Sequence, residues 1–187
     1  NFGFDLLLDL QKSSCRINQV WLQNFANKLK IQGLLDLAQK QVQADTELDI
    51  PDLGFLKPLT SEDLKGKARM STGLNGTFSS VEILSDIEFK DLALEDLQAK
   101  ELKIRADIRP LASLQTSFKG LQISSNASIA GLKEKRGSVF EKPLNIDCLA
   151  KLDFQGPLEI VKAKLVLPGQ EVSFKGALEN NGTFQGQ

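Results

Sequence analysis

The chain has 187 residues with 23 basic and 24 acidic side chains, so it lacks the basic excess from which a nucleic-acid binder draws its affinity. It has no His, and with His goes the commonest general base and metal ligand. No apolar run approaches the ~20 residues that a membrane-spanning helix needs, and the charges are interspersed rather than gathered into a tail.

The first element is "FGFDLLLDL". Phe2, Phe4, Leu6, Leu8 and Leu10 fall on one face, and Gly3, Asp5, Leu7 and Asp9 on the other. Successive side chains of a strand point to opposite sides, so this period of two predicts a strand with one apolar face. "VQADTELDI" follows the same rule, with Val42, Ala44, Thr46, Leu48 and Ile50 opposed to Gln43, Asp45, Glu47 and Asp49.

Next comes "PDLGFLKPLTSEDLKG", from Pro51 to Gly66. Its two prolines and "TSED" predict a loop with at most one short helical turn, capped by Thr60 or Ser61, flanking one end of the sheet.

Three later stretches alternate again. Val81, Ile83, Ile87 and Phe89 share a face in "VEILSDIEF". Leu102, Ile104, Ala106 and Ile108 do so in "LKIRADIR". Leu144, Ile146, Cys148, Ala150, Leu152 and Phe154 do so in "LNIDCLAKLDF", where Leu149 breaks the pattern. Turn phrases such as "GLNG", "KEKRGS", "LPGQ" and "ENNG" separate the strands. The count is about ten strands, many of about nine residues, and one-sided alternation belongs to antiparallel sheets.

Two phrases are written twice. "SFKG" occurs at Ser117 and Ser173, and "NGTF" at Asn75 and Asn181. "RINQVWLQNFANKLKIQGLLDL" from Arg16 also slides over "EIVKAKLVLPGQEVSFKGALEN" from Glu159 without a gap, Ile17 on Ile160, Leu22 on Leu165 and Gly33 on Gly176. The shared unit is a β-hairpin. A unit that cannot bury its own apolar face must stack on its neighbours. Edge-to-edge stacking gives one elongated antiparallel sheet with a continuous apolar face. No long helix is available to cover that face, so the sheet curls on itself, meets a second sheet or leaves an open hydrophobic groove.

The groove is favoured here, lined by Phe2, Phe4, Leu6, Leu8, Val81, Ile83, Ile87, Phe89, Leu102, Ile104, Ile108, Ile146, Leu152, Phe154, Val172 and Phe174. The chain begins inside one strand and stops without a closing element, and is expected to be one β-rich segment, 1–187, of a longer repeat-built protein. Its first strand, Phe2 to Leu10, and its last, Val172 to Leu178, are then edges open to self-association.

The phrases "KLKIQGLLDL", "TELDIPDLGFLKPL", "LKGKARMSTGLNGTF" and "LKIRADIRPLASLQTSFKG" resemble the AsmA-like proteins of Gram-negative bacteria, and among them the TamB type. The resemblance implies a β-taco, a sheet curled around an apolar groove. It implies a periplasmic bridge between the inner and outer membranes, anchored to the inner one by a segment absent from this chain. Phospholipid acyl chains are the implied cargo, with a role in outer-membrane protein assembly beside it. An outer-membrane barrel of the Omp85 type is the implied partner, through regions outside this segment.

Catalytic patterns are missing. There is no G-x-S-x-G and no phosphate-binding loop, and most carboxylates lie on polar strand faces. The chain is therefore expected to be non-enzymatic, with no cofactor and no metal. Cys15 and Cys148 are too few for a zinc site; they read as small apolar side chains, with a disulfide between them left open. Asn75, Asn126 and Asn181 begin N-x-S/T triplets, which turn chemistry explains better than glycosylation. The alternatives to a conduit are a closed lipid-binding or purely structural β-sandwich or solenoid. A transmembrane barrel would carry aromatic girdles, and the chain has one Trp and no Tyr.

Overall fold

A computed structural model of the chain describes all residues except 10, 12, 25, 58–62, 112–119, 135–139, 141, 154–157, 168, 179–183 and 187. The alternating stretches become strands, joined as a meander. The first four are β1 (Phe2–Asp9), β2 (Ser14–Asn24), β3 (Asn27–Asp36) and β4 (Gln41–Ile50). The central ones are longer: β5 (Lys65–Thr77), β6 (Ser80–Leu94), β7 (Leu97–Pro110) and β8 (Gly120–Ala130). Then come β9 (Lys133–Glu134), β10 (Leu144–Asp153), β11 (Leu158–Leu167), β12 (Gln170–Leu178) and β13 (Phe184–Gly186).

All thirteen form one sheet in nearly sequential order, with β1 at one end and β13 at the other, so it is not closed into a barrel. Every pairing is antiparallel. The departure from the path is β9, which continues the line of β8 and pairs with Leu97 and Gln98 of β7. The excess over ten strands comes from short pieces: β9 has two residues and β13 three, too few to show a period.

The sequence repeat is a structural repeat. In the first copy Ile17 pairs with Gly33 and Val20 with Ile31, with a bulge between them on β2. In the second copy Ile160 pairs with Gly176 and Ala163 with Phe174, with the bulge at the equivalent place on β11. One residue too many on each strand shifts the parity, so apolar side chains three apart share a face. The facing Gly33 has no room for a side chain, because a Cβ there would lie 2.6 Å from the Gln43 carbonyl oxygen.

The Pro51–Gly66 connection carries a short turn. Its turn is a 3₁₀ helix at Leu53–Leu56, capped by Asp52, whose Oδ1 accepts from the Gly54 amide at 2.9 Å. Thr60 and Ser61, the expected caps, lie outside the described residues. Asp serves because its short carboxylate reaches an amide two residues on. The turn folds back on the sheet. Leu53 is 1 % exposed and packs with Ile50 and Ala68, flanked by Leu48, Leu56, Leu64, Phe89 and Leu92.

The expected edges are half right. β1 is the outermost strand, but β12 is partly covered, because β13 pairs with Gly176, Ala177 and Leu178. Cys15 and Cys148 are free, on β2 and β10.

The hairpin between β5 and β6 depends on Gly76. Its φ is +146°, and a Cβ there would strike the Ser80 carbonyl oxygen. We expect Gly76→Ala to cost more than the ~1 kcal/mol of an ordinary Gly/Ala exchange, since both backbone and space forbid the methyl group. Urea unfolding checks this: the midpoint should fall while the denaturant slope stays the same.

An open apolar face across eleven strands

In an antiparallel ladder, residues directly opposite each other share a face. One row can be followed from β1 to β12: Phe2, Leu22, Leu29, Leu48, Met70, Ile87, Ile104, Ala127, Ile146, Leu165 and Val172. It crosses eleven strands without a polar residue. At the usual strand spacing its length is roughly 48 Å. A second row, through Ala44, Leu74, Ile83, Ile108, Ile123 and Ala150, is equally apolar on the central strands. Between the two lies a row with Thr46, Thr72, Ser85 and Ser125. Its hydroxyls satisfy one another where they meet: Thr72 Oγ1 and Ser85 Oγ are 2.9 Å apart.

Of the sixteen residues expected to line a groove, fifteen lie on this one face; Phe154 is outside the described residues. The sheet thus brings the expected set together, although its members come from five strands, β1, β6, β7, β10 and β12. Not all are equally placed. Phe89 packs against the Leu53 cluster, whereas Ile83, Ile87, Ile104 and Ile108 have no element over them among the described residues. Leu22, Leu29, Met70, Ile123, Ile129 and Leu165 also belong to the face and were missed. On β2 and β11 the bulge breaks the period of two, which is the signal that marked the other strands.

The face is half-exposed in the middle and open at the ends. Phe2 and Phe4 are 72 % and 66 % exposed, and Val172 and Phe174 are 48 % and 42 %. Among the described residues, the fully buried apolar set is Ile50, Leu53, Ala68, Ala99, Leu144, Ala150 and Ala163, mostly small side chains. The accessible surface is 12827 Å² for 20.6 kDa. A compact monomer of that mass exposes roughly 8,900 Å². The difference is what a single sheet with an uncovered side must show.

The other face is a lattice of alternating charge. Lys28, Asp49, Arg69, Glu88 and Lys103 stand in one row. Arg69 reaches Asp49 at 3.8 Å, and Lys103 reaches Glu88 at 3.7 Å and Glu101 at 2.9 Å. The hydrogen bond from Lys103 holds the Glu101 carboxyl below its usual range and raises Lys103 in return. Arg109 is raised by Asp107, which it grips through Nε and Nη2 at 3.0 and 2.8 Å. These pairs are exposed, so each adds little stability; together they keep one side of the sheet wet and resistant to stacking.

Cavities of about 400 and 500 Å³ open chiefly among these polar side chains, one beside Arg69, Asp86 and Arg105, the other beside Asp107, Asp147 and Lys164. They are gaps between long charged groups. Among the described residues there is no cluster of His, Cys, Asp or Glu able to hold a metal ion, and no helix long and apolar enough to cross a membrane.

A meander of hairpins with one open apolar side has a counterpart among known families: the model of the TamB N-terminal domain matches residues 8–127. The chain belongs to the TamB family. No curated relative and no solved structure matches it. The match to the TamB domain runs from the end of β1 into β8, and so takes in Leu53, Ile87 and Ile104. Beyond it, β10, β11 and β12 continue the same apolar rows.

Proposed function

We propose that the chain is a non-enzymatic segment of a periplasmic bridge between inner and outer membranes, and that its apolar face carries phospholipid acyl chains. The reading rests on one observation above all, the unbroken apolar row from Phe2 to Val172 with no second layer over most of it among the described residues. An acyl chain needs no residue-specific chemistry. Its transfer from water gains about 0.8 kcal/mol per buried CH₂, so a continuous apolar strip is sufficient. The right-handed twist of strands lets such a sheet curl around its cargo. Membership of the TamB family supports the envelope location; an inner-membrane anchor and an Omp85-type partner, both outside this segment, complete the proposal.

The test is lipid uptake. The protein is incubated with vesicles of phosphatidylethanolamine and phosphatidylglycerol, separated by flotation, and assayed for bound phosphate. We expect bound phospholipid of both headgroups, since the acyl chains are what the face recognises. Protein recovered free of lipid would overturn the proposal and leave a structural spacer.

A further inference from the structure

The apolar face is not equally available along its width, and the reason is the turn between β4 and β5. Residues 53 and 56 of a 3₁₀ helix eclipse each other, since the helix has three residues per turn. Here both are leucines, and both pack on the sheet: Leu53 is buried against Ile50 and Ala68, and Leu56 flanks the same cluster. Phe55, between them, is 45 % exposed. The turn is fastened at its start by the Asp52 cap. It therefore lies on the apolar side of the sheet, and it covers the row of Ile50, Ala68 and Phe89 at one margin of β4, β5 and β6.

The next residue of that row is Leu102, which pairs with Phe89 across β6 and β7. Leu102 is outside the Leu53 cluster. Cover thus ends between two directly opposed residues.

We infer that the Asp52–Lys57 turn is a fixed fence. It withdraws the β4–β6 margin of the face from acyl chains and leaves them Leu102 on β7 and the rows of Ile87, Ile104, Ile83 and Ile108. The inference rests on the lipid-carrying reading above and adds a positioning role for Leu53 and Leu56. It also removes Phe89 from the residues that touch cargo, although Phe89 alternates in step with the others.

Photo-crosslinking on the full chain decides it. A diazirine analogue of phenylalanine is placed singly at Phe89, Leu102 and Ile104, and the protein is exposed to vesicles of phosphatidylethanolamine and phosphatidylglycerol. Phospholipid should be captured at Leu102 and Ile104, and roughly tenfold less at Phe89, a ratio equal to about 1.4 kcal/mol of exclusion. Leu53→Ser, checked for retained fold by its circular dichroism, should raise capture at Phe89 toward that at Leu102. Phe55→Ser, which touches no part of the cluster, should leave Phe89 silent. Equal capture at Phe89 and Leu102 in the native chain overturns the fence while leaving lipid carriage intact. So does a folded Leu53→Ser protein in which Phe89 stays silent. No capture at any of the three positions overturns lipid carriage itself, and the fence falls with it.

Discussion

Replacing Leu53 by Ala should destabilise the protein by about 2–5 kcal/mol, the range for removing a large buried aliphatic side chain and leaving a cavity. Leu53 is the one large side chain that is less than 2 % exposed among the described residues. Most of the other buried residues are alanines, with little volume to lose. The cavity would open between Ile50 and Ala68, whose side chains are short of reach to refill it, so collapse should be incomplete. Phe55→Ala in the same turn should cost under about 1 kcal/mol, because nearly half of the residue is in water already and it is outside the Leu53 cluster. Urea titration of the two variants side by side gives the comparison. Equal losses would mean that the turn is not seated on the sheet as described.

Ile104→Glu should have the opposite profile, a small loss of stability and a large loss of lipid binding. A charge forced into a closed core costs about 3–5 kcal/mol, because it is left unpaired and dry. Ile104 stands on the central strand β7 between Ile87 and Ala127, half-buried, with no second layer above it among the described residues. A glutamate there can turn its carboxylate to water, so the stability change should stay near 1 kcal/mol, the span of strand preferences. The same carboxylate interrupts the apolar row at its middle, and an acyl chain lying along it would have to desolvate a charge. Bound phospholipid should fall at least tenfold. Thermal unfolding and flotation on one preparation measure both. Unfolding of the variant would place Ile104 in a closed core.

The fold was legible because a one-sided sheet writes its own period. Phe2 to Leu8, Val42 to Ile50 and Leu102 to Ile108 each alternate, with Leu7 the one exception, and each is a strand whose alternating apolar residues lie on the shared face. The hairpin repeat was legible from the gapless match of Arg16 and Glu159, and its physical content is a bulge and a register repeated in both copies. Three things were not legible. The bulges at Ile17 and Ile160 add a residue and reverse the parity, which hid Leu22 and Leu165 from a period-of-two reading. The cap at Asp52 was not singled out, because several Asp, Ser and Thr side chains of this connection suit an N-cap and the choice depends on where Leu53 finds a partner. The packing of Phe89 against the Leu53 cluster was invisible, since alternation reports which face a side chain is on and not what lies over it.

The most direct measurement of the central claim is a paired crosslink across the sheet at one place. Ile104 lies on the apolar face, and Arg105, the next residue, lies on the charged face opposite Asp86. A photo-crosslinker at Ile104 should capture phospholipid from vesicles of phosphatidylethanolamine and phosphatidylglycerol, and one at Arg105 should not. Equal capture at the two positions, or none at either with the fold intact, would contradict the account.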